Sequence, residues 1–174
     1  MKTITSHLLA ALLIVPILTG CQTMNSAVTP ATKVTTDSFD GSKVINQPPV
    51  SSSASLAEDW HTLGFDWNSR TPDKVFLTAG VQGINNVFGL AFNVAGRTIT
   101  AQPASLTTDY SAWSTRRFYV SYREFEAIAT SPLVKMKVSG ANSYGVSSFG
   151  TSTNALVGKK FPEFLQQVRS SRGQ

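Results

Sequence analysis

The sequence predicts an α+β fold: mostly antiparallel β-sheet or a β-sandwich, with a short internal helix and a C-terminal helix. Three observations carry this. Between residues 37 and 150 apolar residues recur mainly at every second position, the period of a half-buried strand. Turn formers such as Asp40-Gly41, Thr71-Pro72-Asp73 and Ala95-Gly96 separate these runs. Two stretches switch to a period near 3.6, one internal and one at the C-terminus. No solenoid-length repeat interrupts the pattern.

Taken in order, Asp40-Gly41 predicts a hairpin turn between short extended runs. Gln47 to Ser55 (QPPVSSSAS) is a polar stretch and reads as a loop inside the domain. Leu63 to Asn68 reads as a strand. In Lys74 to Gln82, Val75, Leu77, Ala79 and Val81 share one face. Asn86 to Val94 is the clearest strand, with Phe88, Leu90, Phe92 and Val94 together, and Ala95-Gly96 turns it back into Arg97 to Ala101. Ser114 to Ser121 is another strand.

Ser121 and Glu124 fit a capping box that opens a helix over Tyr122 to Thr130, with Phe125, Ile128 and Ala129 as its apolar stripe. Leu133 to Ser139 and Ser143 to Phe149 close the strand set. Phe161, Phe164, Leu165 and Val168 follow i, i+3, i+4, i+7 spacing, and Pro162 suits the first turn of that helix. An earlier helical piece, from about Thr153 to Lys160, precedes it with a kink at the join. The predicted organisation is a signal segment over 1–20, a flexible tether over 21–36, one globular domain over 37–169 and a disordered tail over 170–174.

Composition excludes several classes. The chain has 174 residues and a net charge of +5, and one cysteine rules out an internal disulfide framework or a cysteine-rich zinc site. Charged residues make up only 14%, well below the usual quarter, which argues against a coiled coil or a charge-driven disordered tail.

The N-terminus carries the most specific signal. A short polar segment with Lys2 precedes Leu8 to Leu18, an unbroken apolar run too short for a membrane-spanning helix of about 20 residues. It has the length of a secretory h-region. Leu18-Thr19-Gly20-Cys21 then resembles the lipobox of bacterial lipoproteins. The resemblance implies cleavage before Cys21, a diacylglyceryl group on its thiol and an acylated amino terminus. One acyl chain anchors only marginally at about 0.8 kcal/mol per buried CH₂, whereas two or three hold firmly. Gln22 stands where an Asp would imply inner-membrane retention, so the resemblance implies the outer membrane. The segment Gln22 to Thr36 lacks any period and reads as the tether, spanning roughly 20 Å. The later segment resembles uncharacterised envelope lipoproteins of no identified family.

Chemistry is sparse. His61 is the one histidine after the signal segment. It sits in Glu58-Asp59-Trp60-His61, where a carboxylate could orient it, but no G-x-S-x-G or S-x-x-K motif accompanies it. No H-E-x-x-H, EF-hand loop or cysteine pair suggests a metal, and Gly80-Val81-Gln82-Gly83 lacks the third glycine of a dinucleotide loop. Asp66, Asp73 and Asp109 are dispersed. No catalytic residue, metal or cofactor is therefore expected.

Two candidate binding features stand out. Trp60, Trp67 and Trp113 suit stacking or core packing; Trp67 alternates with Phe65 and is expected inside, while Trp113 lies among Ser and Thr. Lys135 and Lys137 share one strand face opposite Val134, Met136 and Val138, and Arg116, Arg117, Arg123, Lys159 and Lys160 would enlarge a basic surface if they gathered there. Trp113, Lys135 and Lys137 are the candidate binding surface. The expectation is a lipid-anchored, non-enzymatic module that binds or scaffolds an envelope protein or a cell-wall component. Nucleic acid is not an expected partner. The alternative is a periplasmic hydrolase of glycan or peptide using His61 or dispersed carboxylates.

Overall fold

A computed structural model describes residues 29–141 and 143–173. Cys21, the signal segment and residues 22–28 of the expected tether lie outside the described residues. Two antiparallel sheets form, as the alternation predicted. The strands of the first are β1 (Lys33–Thr36), β2 (Lys43–Ser51), β3 (His61–Asn68), β4 (Lys74–Gln82), β7 (Gln102–Pro103), β8 (Asp109–Tyr110) and β9 (Trp113–Ser121). Their order is β1-β2-β3-β4-β9-β7, with β8 also paired to β9. The second sheet has β5 (Gly89–Val94), β6 (Arg97–Thr100), β10 (Val134–Ser139) and β11 (Tyr144–Phe149), in the order β11-β10-β5-β6. The helices are α1 (Tyr122–Thr130) and α2 (Leu156–Arg172). No helix of the described residues is long and apolar enough to cross a membrane.

The core lies where the inner faces meet. Leu63, Phe65 and Trp67 of β3, Val75, Leu77 and Ala79 of β4 and Phe118 and Val120 of β9 point inward from the first sheet. Leu90, Phe92, Val134, Met136, Val138 and Phe149 answer from the second. The helices add Phe125, Phe161 and Phe164, which surround Phe65 at ring-centroid distances of 5.3, 5.0 and 4.7 Å. Phe161 also lies 5.6 Å from Phe149, so one helical ring touches both sheets. Trp67 is core, as expected, and its Nε1 donates to Pro72 O at 3.0 Å.

Local chemistry explains the junctions. In the turn before β2, Asp37 Oδ1 accepts from Phe39 N and Asp40 Oδ1 accepts from Ser42 N. The β5–β6 turn places Ala95 at φ 50° and Gly96 at φ 86°, the pair of left-handed residues a two-residue hairpin turn requires. Ser121 Oγ accepts from Glu124 N, and Glu124 returns a carboxylate oxygen to Ser121 N, so the capping box forms as predicted.

Several expectations need correction. The tether does not reach residue 36: Lys33–Thr36 is a strand paired with β2, and Gln47 ties down the chain before it by donating to Pro30 O and accepting from Thr32 Oγ1. The expected loop over Gln47 to Ser55 is strand as far as Ser51. The register with β3 shifts between Gln47 and Val50, so Pro48-Pro49 occupies an irregularity where no ladder donor is needed. β5 starts at Gly89, not Asn86. Phe88 is 49% exposed, because Val87 takes the inner place and is held by Thr108 Oγ1, which donates to Val87 O and accepts from Val87 N. The C-terminal helix is continuous from Leu156, so Pro162 lies inside it and not in its first turn. It also runs through the expected disordered tail to Arg172. Gly173 at φ 77° caps it by donating to Arg169 O, and the Arg172 guanidinium reaches Pro72 O and the Tyr122 ring.

Candidate functional site

β2, β3 and β4 bring His61 to one end of the first sheet, opposite Val81 in register. The residue is 4% exposed, and its imidazole reaches across to the second sheet, with Nδ1 3.2 Å from Ser147 Oγ. Ser147 Oγ is in turn 3.3 Å from Ser52 Oγ, and both serines are fully buried. This buried polar chain joins the residue that follows β2 to β3 and β11. Burial holds the imidazole pKa below its ordinary value, opposed by the negative charges of Asp59 and Glu58, so His61 is neutral at pH 7.

The neighbouring carboxylates do different work from the orienting role the sequence suggested. Asp59 Oδ2 accepts from Val146 N at 2.8 Å. Glu58 Oε2 accepts from Ser148 N at 3.1 Å and from Ala54 N at 2.9 Å. Burial pushes the Glu58 pKa up, but the backbone donors, Ser148 first, outweigh it and leave it below the usual carboxylate value. Both groups thus hold the outer backbone edge of β11, while Ser147 takes the ring nitrogen.

Above His61 opens a cleft of about 260 Å³ between the ends of the two sheets. Asp59, Trp60, Gln82, Asn85, Ser143 and Tyr144 line it, with His61 and Gly145 below. Trp60 and Tyr144 are 55% and 63% exposed, two large rings displayed at one opening. Gln82, Asn85 and Ser143 are exposed, and their side-chain amides and hydroxyl face solvent without a hydrogen bond to another described residue. Gly145 makes the close approach possible. A Cβ there would lie 2.5 Å from His61 Nε2 and 3.0 Å from Asp59 Oδ2, so these two atoms share one small space.

The candidate surface residues do not converge. Lys135 and Lys137 alternate outward from β10, as expected, but Trp113 is half-buried at the start of β9 in the other sheet. Lys137 Nζ sits 4.3 Å from the Tyr144 ring centroid and so touches the cleft's outer wall. Arg116 and Arg117 are engaged elsewhere: Arg116 bonds Ser105 O and Val87 O, and Arg117 pairs with Asp66. Asp66 illustrates the cost of such placement, since burial raises its pKa against the pull of Arg117. No cluster of three or more His, Cys, Asp or Glu suited to a metal occurs among the described residues. The sequence missed Gln82, Asn85, Ser143 and Tyr144, which sit at strand ends and in loops without a motif.

Chemically, the cleft offers acceptors, donors and flat apolar rings. The hydroxyls linked to His61, those of Ser147 and beyond it Ser52, are fully buried. No known protein family matches this chain, and no curated protein or solved structure is significantly similar to it.

Proposed function

We propose that this is a lipid-anchored bacterial envelope lipoprotein, held by acyl chains on Cys21 in the outer membrane, whose domain binds a cell-wall component without transforming it. The lipobox-like Leu18-Thr19-Gly20-Cys21 after an apolar run supports the anchor. The observation that carries the binding role is the cleft: unpartnered amides beside two exposed aromatic rings, with the serines near His61 fully buried. Polar groups left unpaired at a concave site are what a ligand satisfies.

The test is cosedimentation of the lipidated protein in detergent with purified cell-wall sacculi. Binding that Trp60→Ala or Asn85→Ala weakens, with no soluble fragment released, supports the proposal. Absence of binding would overturn it. The hydrolase reading draws on one observation, the proximity of His61 Nε2 and Asp59 Oδ2 under the cleft. Release of fragments that His61→Gln abolishes would favour it.

A further inference from the structure

We infer that the cleft receives a single uncharged sugar ring of a glycan, one apolar face against Trp60 or Tyr144 and its hydroxyl or acetamido groups on Gln82, Asn85 and Asp59. This deepens the binding role proposed above and rests on it. Size comes first. At about 260 Å³ the cleft falls below the roughly 300–1,000 Å³ of sites for larger organic ligands, so it suits one ring and not an extended molecule.

Polarity comes second. A sugar hydroxyl both donates and accepts. Each free amide carries an acceptor oxygen and two donor hydrogens, and the Asp59 carboxylate adds acceptors. A purely apolar ligand would strip water from these groups and return nothing. A sugar ring also has C–H faces that pack on aromatic rings, which accounts for two such rings exposed at one opening.

Charge and backbone exclude the rivals. Asp59 lines the cleft and no Lys or Arg is among the lining residues; the nearby Lys137 ammonium lies against the Tyr144 ring on the outer wall, so an anionic phosphate or carboxylate ligand meets the Asp59 charge with no cation in the lining to offset it. An extended peptide normally docks by adding a strand to a free sheet edge. At the adjacent edge of β11, the Val146 and Ser148 N–H groups are already taken by Asp59 and Glu58.

The experiment is calorimetric titration of the lipidated protein in detergent with the N-acetylglucosamine trimer and, separately, maltotriose, followed by displacement of the protein from sacculi with whichever binds. Saturable binding of either sugar is expected, weakened about tenfold or more by Asn85→Ala and by Gln82→Ala, each costing a hydrogen bond or two. Phe39→Ala, in the turn before β2 and outside the cleft lining, should leave it unchanged. Thermal unfolding at the wild-type temperature shows that each variant is folded. No heat from either sugar up to about 10 mM, while sacculi still bind, would overturn the glycan assignment alone. Equal affinity in the folded Asn85→Ala and Gln82→Ala variants would overturn the site. Failure of sacculi to bind at all would remove the broader binding role with it.

Discussion

Replacing Phe161 by alanine tests how the two sheets and two helices are held as one body. Phe161 is fully buried on α2, with ring centroids 5.0 Å from Phe65 of β3, 5.7 Å from Phe125 of α1 and 5.6 Å from Phe149 of β11. Deleting a buried phenyl ring costs about 3–5 kcal/mol, transfer and cavity together. The three ring pairs place this site at the upper end, since such pairs contribute about 0.5–1.5 kcal/mol beyond the area they bury. A domain's whole stability is about 5–15 kcal/mol, so the variant should remain folded in the cold yet unfold much earlier. For a chain of this size each kcal/mol moves the midpoint by about 2–4 °C, giving a fall of about 8–20 °C. Urea unfolding followed by the buried Trp67 reads the free energy directly. Phe39→Ala is the control: that ring is 93% exposed, and its loss should stay within about 0.5 kcal/mol. A loss below about 1 kcal/mol at Phe161 would refute the packing argument.

Three other predictions concern the anchor and the cleft. Wild-type protein expressed with a fatty-acid analogue should carry label and Cys21→Ser should not; equal labelling would remove the lipid anchor. Gly145→Ala should cost about 1–3 kcal/mol, because its methyl would meet His61 Nε2 at 2.5 Å and Cε1 at 2.7 Å on a ring fixed by Ser147. It should also narrow the cleft and weaken binding to sacculi; unchanged stability and binding would show that the floor of the cleft is not where His61 lies. Stability should also decline on acidification below about pH 6.5 through His61. Its pKa is lower folded than unfolded, so the unfolded chain takes the proton first and the contribution is whole only above the unfolded value. The difference in unfolding free energy between wild type and His61→Gln should therefore shrink between pH 7 and pH 5, and a constant difference would argue against a buried neutral ring. Glu58, held low, contributes a separate loss only below its ordinary 4.5.

What was legible in the sequence depended on whether the physics was local. β4 has its predicted bounds because a half-buried central strand must alternate, and α1 has its predicted start because Ser121 and Glu124 cap it three residues apart. The outward pair Lys135 and Lys137 follows from the same period of two. β1 escaped because all four of its residues are exposed at a sheet edge, where nothing in KVTT distinguishes strand from coil. β2 was hidden by Pro48-Pro49, which a register shift accommodates. The cleft was illegible for a different reason. His61 meets Ser147 across 86 positions, and Asn85 and Tyr144 come together only when two sheets pack. Such a meeting leaves no spacing to read.

The carboxylates along β11 also bear on how the molecules behave when crowded. A sheet's outermost strand presents unpaired donors and acceptors that invite a strand from a neighbour, the first step of edge-to-edge aggregation. Here two of those donors, on Val146 and Ser148, already face negative charge from the protein's own chain. An approaching strand would have to displace Asp59 and Glu58, and would meet two carboxylates as it came. The remaining margins are brief: β1 and β6 have four residues each, and β7 and β8 two each. At high local concentration, where copies collide far more often than in dilute solution, this arrangement resists fusion of one sheet with the next.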